Sequence, residues 1–271
     1  MKSISFKNKQ ISYNIYGKGP CMVFLHGFPM DGRIWDDFAS KLKLSFQAIV
    51  IDLPGFGHSD VINDKHDMSL MAEAVFTIIN HEQIKKVVLI GHSMGGYVAL
   101  EFAKIFSEKL AGIVLLHSHA SADDEQGRIT RNESIQKITD DKMAFISGFV
   151  PGLFDPSFTE DNQQVIDEVY KTCVSQTTLG INAALAGMRD RNSHIQLLTQ
   201  LYIPVLFVIG KGDSRIPYMK VLSQAALLSH AEIIMLDKVG HMAFIEKQGL
   251  ILNLVQDFAI RCLKPHQMNL G

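Results

Sequence analysis

The chain has 271 residues, 47% of them hydrophobic, and its 26 basic side chains nearly balance 28 acidic ones, for a formal net charge of −2. This length and apolar content fit one large domain, or a core with one insertion. The near-neutral charge excludes electrostatic recruitment of nucleic acid or of an anionic membrane, and no segment approaches the roughly 20 apolar residues that span a bilayer.

The cysteine content points to a reducing compartment. Cys21, Cys173 and Cys262 are an odd number and have no motif spacing. They therefore indicate free thiols rather than disulfides. Residues 1–16 mix charged and apolar side chains, without the continuous apolar stretch of a secretory signal. We therefore expect a cytoplasmic protein, and the sequence leaves its oligomeric state open.

The first 119 residues alternate short apolar segments with helical patterns. Four segments are apolar almost throughout, as strands buried on both faces are. These segments are Met22–His26, Ala48–Asp52, Val87–Gly91 and Gly112–Leu116. Helical patterns at Ser69–His81 and Gly95–Phe106 separate some of them, which predicts a parallel sheet flanked by helices. Ser3–Phe6 and Gln10–Tyr16 alternate polar and apolar residues and predict an antiparallel edge.

Residues 120–201 interrupt this alternation. They are more polar, and no strand candidate stands out among them. Thr159 is a candidate helix N-cap because acidic residues follow it, where they suit the helix dipole. A second helical pattern covers Thr178–Arg189. The segment is therefore predicted to be all helical.

The strand–helix alternation then resumes. The strand candidates are Pro204–Gly210 and Glu232–Asp237, and the helical patterns are Tyr218–Ser229 and Gly249–Leu263. Residues from Lys264 onward predict a loose tail. We therefore predict an α/β core made of residues 1–119 and 202–271, with an all-helical cap, residues 120–201, inserted into it.

A candidate nucleophile lies between the third buried strand and the helix that follows it. The sequence Gly91-His92-Ser93-Met94-Gly95 has the G-x-S-x-G pattern of a nucleophile elbow, in the strand-then-helix context that the pattern requires. Glycines two positions before and after Ser93 remove Cβ atoms that would collide across a sharp turn. The start of the helix also directs N–H groups at any negative charge that develops beside the serine. We therefore predict Ser93 as the nucleophile.

The loop after the first buried strand supplies a candidate oxyanion donor. Acyl transfer produces an oxyanion that needs two converging N–H groups. The backbone N–H of Met94 is one candidate. The N–H of Phe28, in the loop His26-Gly27-Phe28-Pro29, is the other.

A serine hydroxyl needs a base, and the base needs an orienting carboxylate. His241 follows the last strand candidate, and Asp213 follows the strand at Pro204–Gly210, so both come to the strand-end edge that carries Ser93. Their chain order, serine then aspartate then histidine, is the order found in proteins whose nucleophilic serine lies on such a strand-to-helix elbow. The end of the preceding strand reads Leu116–His119 and has no carboxylate, which favours Asp213 as the acid.

Five motifs in this order resemble the α/β-hydrolase superfamily, in particular its small members with a helical cap. The motifs are His26-Gly27-Phe28-Pro29, Asp52–Asp60 (a D-x-P-G-x-G-x-S loop), Gly91–Gly96, Gly210–Asp213 and Gly240-His241. The stretch Ala183–Asp190 is similar to cap segments of carboxylesterases and enol-lactonase-like members. The resemblance spans nearly the whole chain. It implies a mostly parallel eight-stranded sheet flanked by helices with an all-helical cap. Haloalkane dehalogenases and soluble epoxide hydrolases of this fold have aspartate at the nucleophile position, so serine at position 93 argues against both.

The predicted chemistry is a two-step acyl transfer to a small-molecule substrate, with no metal and no organic cofactor. His117 and His119 stand two apart, but no companion ligands follow at metal-site spacing. Apolar cap side chains predict a mostly apolar pocket for a small, uncharged ester, thioester or lactone. The residues expected to line it are His119, Phe145, Phe149, Phe154, Met188 and Met242.

Three functions remain open from the sequence. The first is a carboxylic-ester hydrolase. The second is C–C bond hydrolysis, lactone opening or aminopeptidase action with the same triad. An aminopeptidase would need cap carboxylates near Ser93, and the cap acids Glu160, Asp161, Asp167 and Glu168 are expected to face solvent. The third is a ligand-binding signalling protein that uses the hydrolase pocket as a receptor.

Overall fold

An eight-stranded sheet forms the centre of the protein in the computed structural model, which describes residues 1–263. In chain order the strands are β1 (Lys2–Phe6), β2 (Lys9–Tyr16), β3 (Cys21–Leu25), β4 (Gln47–Ile51), β5 (Val87–His92), β6 (Leu110–Leu116), β7 (Val205–Gly210) and β8 (Ala231–Leu236). Their order across the sheet is β1-β2-β4-β3-β5-β6-β7-β8. β2 pairs antiparallel with β1 and β4, and all other pairs are parallel. The predicted mostly parallel sheet is therefore confirmed.

Helices cover both faces of this sheet. In chain order they are α1 (Asp36–Leu42), α2 (Met68–His81), α3 (Met94–Ile105), α4 (Glu125–Phe149), α5 (Pro156–Thr159), α6 (Gln163–Val174), α7 (Thr178–Arg189), α8 (Ile195–Leu198), α9 (Tyr218–Ala225), α10 (Ala243–Glu246) and α11 (Gln248–Leu263). A Cβ added at Gly96 of α3 would lie 3.3 Å from Leu115, and one added at Gly112 would lie 3.1 Å from Phe258 of α11. Leu115 and Gly112 are an odd number of residues apart on β6, so they point to opposite faces of the sheet. The helices α3 and α11 therefore pack on opposite faces.

Coverage on both sides explains the uniformly apolar strands. Every residue of β3, β5 and β7 is buried. The edge strand β8 is only partly buried, and Ile233 and Met235 are among its exposed residues. The predicted tail from Lys264 onward lies outside the described residues.

Residues 120–201 contain α4 to α8 and no strand, as the composition predicts. The helix α4 is longer than any helix predicted from the sequence, and non-helical backbone at Asp141 divides it. The carboxylate of Asp141 accepts the N–H of Ala144 and so caps the second half. The expected N-cap at Thr159 is wrong. Thr159 is the last residue of α5, and α6 begins after Asn162. That these helices form a separate cap domain stays a prediction.

Polar contacts hold together the two points where this segment leaves and rejoins the core. The N–H of His194 donates to the carbonyl of Ala120 over 2.7 Å. The His194 ring contacts the buried carboxylate of Glu101 on α3 at 2.7 Å. The Arg191 guanidinium forms an ion pair with Asp123 at 2.6 Å. These contacts fix the entry and exit of the helical segment beside α3.

The helix α7 touches the core through glycines. A Cβ added at Gly187 would lie 1.8 Å from the carbonyl oxygen of His66, and one at Gly180 would lie 1.9 Å from that of Gly55. The N–H of His66 also donates to the carbonyl of Ala183 over 3.0 Å. Only residues without a Cβ allow α7 to approach the loop after β4 so closely.

We expect Gly187→Ala to destabilise the protein by about 1–3 kcal/mol, because backbone must move to accommodate the methyl group. Urea unfolding followed by circular dichroism measures the change. Gly148→Ala on α4 is the matched control, since no atom lies within 4 Å of its added Cβ, and it should stabilise by about 0.5–1 kcal/mol. Equal effects of the two substitutions would contradict this account of the contact.

Candidate active site

Ser93 occupies a strained turn between β5 and α3. Its backbone has φ 50° and ψ −113°, a conformation that is rare for a residue other than glycine and that concentrates at functional sites. The turn is held by a hydrogen bond of 2.9 Å from the Ser93 N–H to the carbonyl of Leu116. A Cβ at Gly91 would lie 2.5 Å from the carbonyl oxygen of Gly95. The glycines of the motif are therefore required by close backbone approach, as the sequence predicts.

The loop after β3 lies against this turn. A Cβ added at Gly27 would lie 2.4 Å from Nδ1 of His92 and 3.2 Å from Cβ of Ser93. The next residue is Phe28, whose N–H has no hydrogen-bond acceptor within residues 1–263, and the same is true of the Met94 N–H. Two free donors beside the serine are what an oxyanion hole requires. Their role stays a prediction.

The structure brings Asp213 and His241 together. Asp213 follows β7, His241 follows β8, and Nδ1 of His241 lies 2.7 Å from Oδ2 of Asp213. The other carboxylate oxygen, Oδ1, accepts the N–H groups of Arg215 at 2.8 Å and Ile216 at 3.0 Å. Burial by itself would raise the pKa of Asp213, but the imidazoles of His241 and His117 outweigh it and hold that pKa well below its usual range. The carboxylate is therefore ionised at neutral pH.

A buried glutamate that the sequence analysis missed fixes the His241 loop. The carboxylate of Glu246 accepts the N–H groups of Gly240 at 3.0 Å, Met242 at 3.1 Å and Asp155 at 3.0 Å. Burial raises the pKa of Glu246, and these N–H groups only partly offset the rise. No motif marks this residue in the sequence, because its partners are backbone groups brought together by the fold.

Two further hydrogen bonds fix the backbone of His241. Its N–H donates to the carbonyl of Leu153 over 2.7 Å. Its own carbonyl lies 2.8 Å from Nε2 of His92, which must carry a proton to donate there. Burial lowers the pKa of His92 well below its usual value, so the ring is neutral. His92, the residue before the predicted nucleophile, thus helps to fix the backbone of the predicted base.

We expect Glu246→Gln to lower kcat by about 10- to 100-fold, since a small displacement of a catalytic group has effects of that size. The amide NH₂ would face N–H donors, which also costs about 1–3 kcal/mol of stability. Steady-state ester hydrolysis and urea unfolding measure the two effects. Glu160→Gln is the control, because Glu160 is exposed at the end of α5. Unchanged kcat in Glu246→Gln would show that the loop does not need this carboxylate.

One cavity of about 490 Å³ contains both Ser93 and His241 in its lining. Its volume is within the range of small-molecule sites. Of the residues expected in the pocket, Phe145, Phe149 and Met188 line it.

The other three expected pocket residues, His119, Phe154 and Met242, are not in this lining. The His119 ring turns to the hydroxyl of Tyr97, 3.3 Å away. The Phe154 ring stacks on Phe158, and Met242 is fully buried. The prediction that these three residues line the pocket with Ser93 is therefore wrong for this cavity.

The cavity is more polar than the expected apolar pocket. Its charged lining residues are Asp123, Asp124, Arg131 and Arg215. Arg131 pairs with Asp123 at 3.0 Å, and the Arg215 guanidinium lies over the Phe149 ring, 4.2 Å from its centroid. The prediction of an apolar pocket rested on the apolar cap residues and left out the polar stretch from Asp123 to Ser134, which lines the cavity.

His117 belongs to the same cluster. Its Nδ1 lies 3.0 Å from Oδ2 of Asp213, and the candidate ligand atoms of His117, Asp213 and His241 all lie within 4.8 Å of one another. Such a set can hold a metal ion. However, the distances between Asp213 and each ring are those of N–H···O hydrogen bonds, which already account for the arrangement. His119 is not part of the cluster, so the structure does not bring the His117/His119 pair together as ligands.

A parallel sheet with a serine turn at one strand end and a buried aspartate–histidine pair beside it defines a class of hydrolases. A family model described as the alpha/beta hydrolase fold matches residues 20–137. The solved structure of a thermophilic esterase from Thermogutta terrifontis superposes with a TM-score of 0.91 at 27% identity, covering 94% of this chain and 95% of that one. These findings show that the chain has the α/β-hydrolase fold.

Several relatives by sequence carry esterase names. A pimeloyl-[acyl-carrier protein] methyl ester esterase of Aeromonas salmonicida is 28% identical over 259 residues, which cover 92% of this chain and 98% of that protein. The enzyme of that name from Yersinia enterocolitica is 29% identical over 265 residues, which cover 93% and 98%. The enol-lactonase from Burkholderia xenovorans has a TM-score of 0.88 at 18% identity over 95% of this chain and 99% of that one, a likeness in fold.

None of the helices within residues 1–263 has the length and hydropathy of a bilayer-crossing segment.

Proposed function

We propose that this protein hydrolyses carboxylic esters of small molecules through an acyl-enzyme on Ser93. The observation that carries the proposal is the 2.7 Å hydrogen bond between Asp213 and His241, whose imidazole shares one cavity with Ser93. An ionised acid that holds a histidine beside a strained serine is the arrangement that activates a hydroxyl nucleophile. The esterase names of relatives that match nearly full length support the same chemistry.

In the proposed mechanism, the Ser93 hydroxyl attacks the ester carbonyl while Nε2 of His241 takes its proton. Asp213 stabilises the imidazolium that forms and keeps Nδ1 protonated. The free N–H groups of Phe28 and Met94 stabilise the oxyanion. His241 then gives its proton to the leaving alcohol, and the acyl group remains on Ser93.

Water completes the cycle. His241 removes a proton from a water molecule as that water attacks the acyl-enzyme, and it returns the proton to Ser93 as the carboxylic acid leaves. Every step uses side chains and backbone of this chain, so we propose that the protein needs neither a metal nor an organic cofactor.

The three free cysteines support a reducing, cytoplasmic setting for this reaction.

The cavity lining supports a substrate with an apolar and a polar part. Phe28, Phe145, Phe149 and Met188 offer apolar surface, whereas Arg215 and the Asp123–Arg131 pair offer charge. The aminopeptidase alternative gains no support from the cavity. Among its acids, Asp123 is paired with two arginines and Asp124 accepts the N–H of Gly127 as a helix cap.

A methyl ester is a specific candidate, because several relatives are named for methyl ester hydrolysis. The helical segment favours a free ester over one carried by an acidic protein. Residues 120–201 contain 12 acidic and 7 basic side chains, and like charge opposes association. We therefore propose methyl and other short esters of small free acids as substrates.

We expect Ser93→Ala to lower kcat for a short p-nitrophenyl ester by about 10⁵-fold or more, because loss of the nucleophile removes the acyl-enzyme route. The variant should also lose labelling by a fluorophosphonate probe, as mass spectrometry of the intact protein would show. Ser214→Ala is the matched control, since Ser214 lines the same cavity and should keep both properties. Substantial ester turnover by folded Ser93→Ala would remove the proposal.

Substrate class is tested by a panel of short free methyl esters, lactones, aminoacyl amides and a protein-bound methyl ester. We expect kcat/KM to be highest for free esters, at least about 10-fold above the others, which corresponds to about 1.4 kcal/mol of transition-state binding. A preference for lactones or amides would assign the same site to a different reaction. Tight retention of a ligand with negligible turnover of the whole panel would favour a receptor.

A further inference from the structure

The ring of His117 lies against the predicted acid and base, with its centroid 5.4 Å from that of His241. His117 follows β6 directly, with a positive φ of 48°, and its side chain has no exposed surface. Its backbone N–H donates to the carbonyl of Val208 on β7 over 3.0 Å. This hydrogen bond sets the residue beside the strand that carries Asp213.

The proton position on the His117 ring follows from its two partners. Nε2 lies 3.2 Å from the backbone nitrogen of Ala243, which can only donate, so Nε2 must present a lone pair. The proton of the neutral ring is therefore on Nδ1, which faces Oδ2 of Asp213 at 3.0 Å. Burial lowers the pKa of His117 and outweighs the rise that Asp213 causes, so the ring is neutral at neutral pH.

One carboxylate oxygen therefore accepts from two imidazoles. Oδ2 of Asp213 takes Nδ1–H of His117 at 3.0 Å and Nδ1–H of His241 at 2.7 Å. Each hydrogen bond to this oxygen takes up part of its negative charge and so weakens its interaction with the other imidazole. Without His117, the carboxylate would stabilise the imidazolium form of His241 more strongly. Other charged or titratable groups nearby are the His92 ring, whose centroid lies 4.9 Å from that of His241, and Arg215, which follows Asp213 closely in the chain. A third is Glu246, whose carboxylate accepts the N–H groups of the residues on either side of His241.

We propose that His117 is a positioning residue that acts through Asp213. It donates to the carboxylate as a fixed neutral tautomer, so that His241 stays unprotonated, and active as a base, at lower pH values than it would without this donor. The kinetic part of this inference rests on the proposed function of Ser93, Asp213 and His241. The tautomer assigned to His117 does not depend on that function, and it can be measured without substrate.

The kinetic test compares His117→Leu with His117→Asn. Leucine removes the donor, and the midpoint of the acid limb of kcat/KM should move to higher pH by about half a unit or more. Asparagine keeps an N–H donor and tolerates the left-handed backbone at this position, so its acid limb should stay near that of the wild type. His119→Leu is the matched control, because His119 is buried nearby and is not hydrogen-bonded to Asp213.

A role in packing alone would lower the unfolding midpoint of His117→Leu and leave the acid limb in place. Coincident acid limbs of wild type and folded His117→Leu would thus overturn the inference, as would equal shifts in His117→Leu and His119→Leu. Absence of any Ser93-dependent ester turnover is a different outcome, which would remove the proposed function and leave the tautomer to be judged on its own.

Nuclear magnetic resonance of the ¹⁵N-labelled wild-type protein tests the tautomer even if His117→Leu does not fold. The His117 ring should show a protonated Nδ1 and an unprotonated Nε2 at pH 7, with assignment by loss of the signals in His117→Asn. A ring protonated on Nε2, or on both nitrogens at pH 7, would overturn the inference.

Discussion

Four N–H groups converge on the carboxylate of Asp213, and the geometry of the candidate site depends on them. Two come from the backbone of Arg215 and Ile216, and two from the rings of His117 and His241. A buried carboxylate without such partners would take up a proton, because burial disfavours its charged form. With its acceptor sites occupied it stays ionised, and an ionised carboxylate can hold the imidazole of His241 in one orientation.

The parallel sheet is what allows these groups to meet. The strands β3, β5, β6 and β7 are neighbours in that order, and all four run in the same direction. The residues that follow their ends therefore share one edge of the sheet, the position where ligands bind in open α/β sheets. Phe28, Ser93, His117 and Asp213 each follow one of these four strands within three residues. Positions nearly 190 residues apart in the chain thus come together without any local signal between them.

The hydrogen bonds that fix the His241 loop come from residues outside the Gly240-His241 motif. His241 follows an edge strand that is only partly buried, so the strand alone does not fix it. Its loop is held from three directions, by Leu153 of the helical segment, by Glu246 of α10 and by His92 beside the serine. The helical segment therefore contributes to the position of the predicted base as well as to the cavity.

The sequence by itself determined the eight strands and their order along the chain, the sheet edge at which the candidate site lies and the chain positions of the candidate serine, acid and base. It could do so because buried parallel strands are uniformly apolar and because a sharp turn at Ser93 tolerates only glycine at Gly91 and Gly95. Only the tertiary structure decided which cap side chains face the cavity, since an amphipathic pattern does not say whether an apolar face meets the core or a ligand. It also showed the contacts of His117 and Glu246, whose partners are carbonyl, amide and carboxylate groups from distant segments. Such contacts leave no pattern in the sequence, because a backbone N–H is the same at every residue but proline.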